Sequence, residues 1–321
     1  MKAKKLILYS LTIIVLIGIV GYYFLFVKER LNAPSWNLET NSITIEQVER
    51  TFDFYIPKDL TTPPSLLFLL HGSKGYTQQM RYLTNYEFEK QAALRKDGII
   101  VYPQGFEKHW NDCRRTATYT ANTSDINEVV FFQEMVNFFG EKFKIDKNKV
   151  FSVGYSNGGQ LCFKLAFELP EIFKGIGVYS ANIPALTNND CSPKNLPISA
   201  IIVNGTDDPI NPYNGGLVVL DGDTSRGRVL SSMETFKYFK KRLPNTCTNK
   251  KSINKTYSDL VSGIGISCSH SKHQIALIKV EGGGHTMPFI SKPPYLPSRI
   301  GKTETSINSA ALIIDFFEAL E

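Results

Sequence analysis

Val150-Phe-Ser-Val-Gly-Tyr-Ser-Asn-Gly-Gly-Gln-Leu161 is the stretch on which the fold turns. Val150–Val153 suits a strand covered on both faces, and the pattern from Gly158 to Leu169 suits a helix. Between them, Gly154-Tyr-Ser-Asn-Gly158 sets a serine on a sharp strand-to-helix turn. Such a turn presses backbone segments together, so the positions two before and two after the serine must be small. The hydroxyl is thereby raised above the sheet edge, beside a helix N-terminus that favours negative charge developing on a substrate oxygen. As a bare pattern G-x-S-x-G is common; the strand before it and the helix after it give it chemical meaning.

Working outward, Thr51–Ile56 alternates like an outer strand, whereas Leu66–Leu70 is continuously apolar, as a strand buried on both faces should be. Gly98–Tyr102, Gly175–Tyr179, Ile198–Val203 and Ile275–Val280 are further buried-strand candidates. Helical patterns lie between them at Gln78–Arg95, Asp125–Phe143, Ser232–Leu243 and Ser306–Leu320. In the second of these, Ile126, Val129, Val130, Val136, Phe139 and Phe143 form one apolar stripe. Ser231 with Glu234 makes a capping box for the third. Alternating strands and helices predict an α/β fold with a mostly parallel sheet flanked by helices, its site beyond the carboxyl ends of the strands.

A serine needs a base to activate it and a third group to orient that base. His71 directly follows a strand, where it shapes a loop, and His109, His270 and His273 lie in polar stretches. His285, in Glu281-Gly-Gly-Gly-His-Thr-Met-Pro288, follows the strand Ile275–Val280 on a glycine-rich loop and can reach the edge that carries Ser156. The acid should fall between serine and histidine in chain order. Asp207 and Asp208 follow Ile198–Val203, and pattern alone does not choose between them; Asp221 and Asp223 are more remote. Serine, then acid, then histidine is the order of an α/β-hydrolase. The oxyanion donors would be the N–H of Asn157, next after the nucleophile, and that of Ser73 in the loop after Leu66–Leu70.

With these residues in place, the chain from about Pro63 to Pro288 resembles the secreted polyhydroxybutyrate depolymerase and feruloyl esterase-like family of α/β-hydrolases. The resemblance is carried by Leu70-His-Gly72, Val101-Tyr-Pro103, Trp110-Asn111, Ser124-Asp-Ile126, Ile145-Asp146, Gly154–Gly159, Asn204–Pro209 with Pro212-Tyr213, and Gly282–Thr286. It implies a serine ester hydrolase with Ser156 as nucleophile, His285 as base and Asp208, rather than Asp207, as acid. It also implies a disulfide between Cys247 and Cys268, and a substrate pocket involving His71, Trp110, Asn204, Tyr213, Met287 and Phe289. The family usually has His at the position of Asn204, Trp at Met287 and Gly at Phe289, so the acyl pocket departs from its pattern. No cofactor is required by this chemistry. A peptidase or thioesterase using the same triad, and a non-catalytic binding module on a hydrolase scaffold, are the alternatives.

Composition narrows the class further. The 321 residues are 42% hydrophobic and 21% charged, which excludes disordered and collagen-like chains. Of the net charge of +6, Lys2, Lys4, Lys5, Lys28 and Arg30 against Glu29 account for +4, leaving +2 for everything else. A body so nearly balanced, with no run of Lys and Arg interleaved with aromatics, argues against nucleic acid as the main partner. Leu6 to Val27 is uncharged and apolar, behind three lysines, and long enough to cross a bilayer. The expected organisation is an N-terminal membrane anchor over 1–30, a linker over 31–42 and a catalytic domain over 43–321. The catalytic domain would then be extracytoplasmic, or secreted if the segment is cleaved, and an anchored enzyme favours soluble esters over solid polyester. Five cysteines allow at most two disulfides, leaving the pairing of Cys113, Cys162 and Cys191 open. Cys268-Ser-His-Ser-Lys-His273 lacks a second ligand pair at metal spacing, so no metal site is expected.

Overall fold

Side chains along a strand point to opposite faces in turn, and here both faces are apolar. Leu66, Phe68 and Leu70 join one core cluster with Phe131, Phe132 and Phe163, while Phe151 stacks on Phe317 at 4.4 Å apart from that cluster. Such strands can only be central, with helices on either side. The computed structural model describes residues 38–247, 250–268, 271–290 and 297–320, with Trp36 and, nearer the N-terminus, Ile13, Val15, Leu16 and Gly18.

Twelve strands are described: β1 (Glu39–Ile45), β2 (Val48–Tyr55), β3 (Ser65–Leu70), β4 (Gly98–Pro103), β5 (Val150–Tyr155), β6 (Gly175–Tyr179), β7 (Ser199–Gly205), β8 (Gly216–Leu217), β9 (Arg228–Val229), β10 (Lys250–Ser258), β11 (Val261–Cys268) and β12 (His273–Val280). The longer helices are α1 (Gln79–Leu83), α2 (Glu87–Arg95), α3 (Glu128–Phe143), α4 (Asn157–Glu168), α5 (Ser232–Lys241) and α6 (Ser309–Glu318). Ten strands form one sheet in the order β1-β2-β4-β3-β5-β6-β7-β12-β11-β10. The run from β4 to β12 is parallel throughout. Antiparallel pairs extend it at both edges, β1 and β2 on one side and β10 and β11 on the other. The sheet is therefore mixed, and its parallel centre is the part that carries the site.

The helical pattern of Asp125–Phe143 becomes α3, whose buried apolar face is Phe131, Phe132, Met135, Val136 and Phe139; of the expected stripe Val136 and Phe139 are buried, and Ile126, Val129, Val130 and Phe143 are half-buried. At its start Glu128 is buried against Arg50 at 2.9 Å, an ion pair that joins α3 to β2. The Ser231–Glu234 capping box opens α5 in both directions, amide to hydroxyl and amide to carboxylate. Of the five cysteines, Cys113 bonds to Cys191 and Cys247 to Cys268, and Cys162 is a buried thiol.

One expectation is corrected. No helix among the described residues is long and apolar enough to cross a membrane. A span requires about 20 consecutive apolar helical residues, and Leu6 to Val27 lies outside the described residues except at Ile13, Val15, Leu16 and Gly18. The fold is accordingly an α/β-hydrolase sheet with flanking helices, and a transmembrane helix, a bilayer partner and a membrane-anchored location find no support in it. The chain divides into two units, Met1–Asn37 and Leu38–Glu321. The second starts just ahead of β1, so residues from the expected linker form strand.

Candidate active site

Four loops at the carboxyl ends of parallel strands meet at one point: Ser73 follows β3, Ser156 follows β5, Asp208 follows β7 and His285 follows β12. Ser156 is the single residue between β5 and α4, with φ 55° and ψ −115°. A non-glycine residue held there is strained by about 1–3 kcal/mol, a cost usually tolerated where function needs the geometry. The surrounding glycines make room for it: a Cβ on Gly154 would lie 2.1 Å from the carbonyl oxygen of Gly158, and one on Gly158 would lie 2.3 Å from that of Leu70.

His285 Nε2 lies 2.8 Å from Ser156 Oγ, and its Nδ1 lies 2.8 Å from Asp208 Oδ2. The other carboxylate oxygen, Oδ1, accepts the amides of Ile210 and Asn211, each at 2.8 Å. These two bonds aim Oδ2 at the imidazole and separate Asp208, which is buried, from Asp207, which is exposed. Asp221 and Asp223 pair elsewhere, with Arg299 and Arg226. His285 is held from its backbone as well, because Tyr155 Oη donates to its carbonyl at 2.7 Å.

The protein-family profile described as "Putative esterase" matches residues 43–205, half of the chain. The chain belongs to this esterase family. Among curated proteins the esterase is 24% identical over 263 residues to "Putative esterase NocK" of Nocardia uniformis subsp. tsuyamanensis, covering 78% of this chain and 73% of that one. It is 28% identical over 148 residues to an acetylxylan esterase of Coprinopsis cinerea, 43% of this chain and 38% of that one. A "Probable feruloyl esterase C" of Aspergillus niger is 23% identical over 172 residues, 52% and 58% of the two chains. The esterase thus spans less than two thirds of the length of these last two relatives. An acetyl xylan esterase from Aspergillus awamori has the same fold at a TM-score of 0.55 and 15% identity, over 88% of this chain and 99% of that one. Family and fold together make the protein a serine-hydrolase enzyme.

The cavity at Ser156 and His285 has a volume of about 190 Å³. Ser73 lines it, but His71, Trp110, Asn204, Tyr213, Met287 and Phe289 do not. Several of these support the site from behind. His71 Nε2 accepts the Gly105 amide at 3.0 Å, so Nδ1 carries the proton and donates to the Gly72 carbonyl at 2.8 Å. Burial lowers its pKa to about 4. Trp110 Nε1 donates to the His71 carbonyl at 2.8 Å, and the Trp110 amide donates to Asn157 Oδ1 at 2.9 Å. One network therefore holds the loop before Ser73 and the residue after Ser156. Asn204 is buried and braces Ala181, Asn182 and Ser232.

The residues that do line the cavity were mostly absent from the sequence reading: Arg114, Tyr119, Gln160, Asn211 and Arg226 come from four separate segments. Gln160 directly follows the Gly154–Gly159 motif, Asn211 lies between Asn204–Pro209 and Pro212-Tyr213, and Arg226 falls in the Asn214–Arg228 loop, a place to expect specificity; nothing local marks Arg114 or Tyr119. Among the described residues no group of three His, Cys, Asp or Glu side chains could hold a metal ion.

Proposed function

We propose that the protein is a carboxylic-ester hydrolase working through an acyl-enzyme, with Ser156 as nucleophile, His285 as general acid–base and Asp208 as the group that orients it. The unbroken Ser156–His285–Asp208 chain of 2.8 Å contacts carries this reading. Ser156 Oγ attacks the ester carbonyl carbon while its proton passes to His285 Nε2. Asp208 Oδ2, accepting from Nδ1–H, stabilises the imidazolium that results. The amides of Asn157 and Ser73 receive the oxyanion; Asn157 is the first residue of α4, where an N–H has no intrahelical acceptor. Collapse expels the alcohol, protonated by His285, and water releases the acid by the same steps in reverse.

Relatives named for acetylxylan and feruloyl esters, and the resemblance to polyhydroxybutyrate depolymerases, define the panel: an acetylated sugar, a feruloyl ester and a hydroxybutyrate oligomer beside a short nitrophenyl ester. Ser156→Ala should lower kcat on every substrate that is cleaved by at least about 10⁴-fold, leaving what the oxyanion donors and binding supply. Full turnover in that variant would sink the assignment.

A further inference from the structure

Two charged side chains in the cavity wall have no part in the steps above. Arg114 and Arg226 both line the cavity that holds Ser156 and His285, whereas no aspartate or glutamate lines it. They are 4% and 8% exposed. A buried guanidinium is retained only where it is paired, and here the pairing carboxylates, Asp112 and Asp223, stand outside the cavity lining. Arg114 forks onto Asp112 through Nε at 3.0 Å and Nη2 at 2.5 Å, and Asp112 in turn accepts from Asn157 Nδ2 at 2.6 Å. Arg226 donates Nη1 to Asp223 at 2.8 Å and Nε to Tyr119 Oη at 2.7 Å. Its Nη2 has no protein acceptor among the described residues. The Tyr119 ring lies against both guanidinium groups, 5.6 and 5.2 Å from their central carbons.

The same cavity holds a second, independent signal. Asn211 Oδ1 and Nδ2 and Gln160 Oε1 are buried without a hydrogen-bond partner among the described residues. Gln160 Nε2 donates to the Asn182 carbonyl at 2.9 Å, which fixes the amide's orientation. Native proteins leave few buried polar atoms unpaired, and three on two residues of one cavity call for a ligand that supplies the partners.

We propose that the substrates are small esters bearing a carboxylate, which docks on Arg114 and Arg226 while Asn211 and Gln160 bond neighbouring polar atoms of the same molecule. The planar, forked guanidinium matches a carboxylate in a way that neutral acyl or aryl groups do not. This rests on the ester-hydrolase reading and adds the class of ester. The carboxylate belongs to the acyl half, as in a dicarboxylic acid monoester, or to the alcohol half, as in an acylated hydroxy acid; the two arms of the test separate these.

With the full chain, kcat/KM is compared for mono-4-nitrophenyl glutarate against its methyl ester, and for 4-acetoxybenzoate against methyl 4-acetoxybenzoate. The expected result is a preference of at least about 10-fold for the anionic member in one arm, shrinking as salt is raised from 0.05 to about 0.5 M. Arg226→Gln should bring that ratio towards one, and Arg226→Lys, which keeps the charge and loses the fork, should fall between. The ratio and its salt dependence in the wild type stand even where a variant does not fold. No preference in either arm, with Ser156-dependent cleavage of the neutral esters, overturns the proposal and leaves the hydrolase reading intact. Where no ester is cleaved, that reading fails instead, and calorimetry of monomethyl glutarate with the Ser156→Ala protein decides the anion site. Binding that weakens about 10-fold on adding Arg226→Gln supports it; no binding overturns it.

Discussion

His71 stays neutral because burial holds its pKa near 4, well below the usual 6.5. An unfolded chain takes up a proton at this imidazole as pH falls through 6.5, and the folded protein does so only near 4. Folding stability at this site is therefore fully present above pH 6.5 and is lost progressively down to about pH 4, by about 3 kcal/mol in all. Urea denaturation should show the midpoint falling through this window, and His71→Asn should have a shallower fall; equal slopes in the two proteins would remove His71 as the cause. At this scale Ser156 and His285 were legible, since each sits in a short motif after a predicted strand. The choice of Asp208 over Asp207 could not be read from the pattern of two adjacent acids and rested on the family resemblance; the structure gives it a physical basis. It is made by the amides of Ile210 and Asn211, which hold Asp208 towards His285.

The turn between β5 and α4 depends on backbone crowding more than on any side-chain contact. A methyl group on Gly158 would meet the carbonyl oxygens of Leu70 and His71 at 2.3 and 2.6 Å, and neither can yield without moving the loop that carries Ser73. Gly158→Ala should accordingly cost about 1–3 kcal/mol or more and lower kcat as well. Gly140→Ala, at a half-buried position of α3, is the contrast: its added carbon meets only the flexible Lys147 side chain at 3.3 Å. That change should be neutral or stabilising by up to about 1 kcal/mol. Thermal melts of both variants beside the wild type check the pair. The parallel strands were readable because burial on both faces demands continuous apolar runs. β10 and β11 were not, because β10 is polar and largely exposed, and Gly263 and Gly265 interrupt β11. An edge strand with lysines and no apolar face leaves no periodicity to detect.

For the molecule as a whole, the two disulfides differ in reach and in consequence. Cys113–Cys191 closes 78 residues and Cys247–Cys268 closes 21. In the chain-entropy account the first restrains the unfolded chain by about 4.5 kcal/mol and the second by about 3 kcal/mol. Cys113 also stands between Asp112 and Arg114, so its loss reaches the cavity wall. A Cys113→Ala, Cys191→Ala protein should lose the greater stability and show a raised KM. A Cys247→Ala, Cys268→Ala protein should lose stability with its kinetic constants kept. Denaturation and steady-state kinetics on both proteins test this, and unchanged kinetics in the first would separate the disulfide from the site.

Sequence alone determined that strands alternate with helices, and that a serine, an acid and a histidine follow strands in hydrolase order. Those features are local: periodicity records which faces are apolar, and a tight turn records where only glycine fits. The Cys113–Cys191 bond and the arginine-lined cavity were decided by the tertiary structure, and so was the contact that sets Asp208, already implied by the family resemblance, against His285. Arg114, Tyr119, Gln160, Asn211 and Arg226 lie on segments far apart in the chain, and they share a wall only because the sheet brings its carboxyl-end loops together.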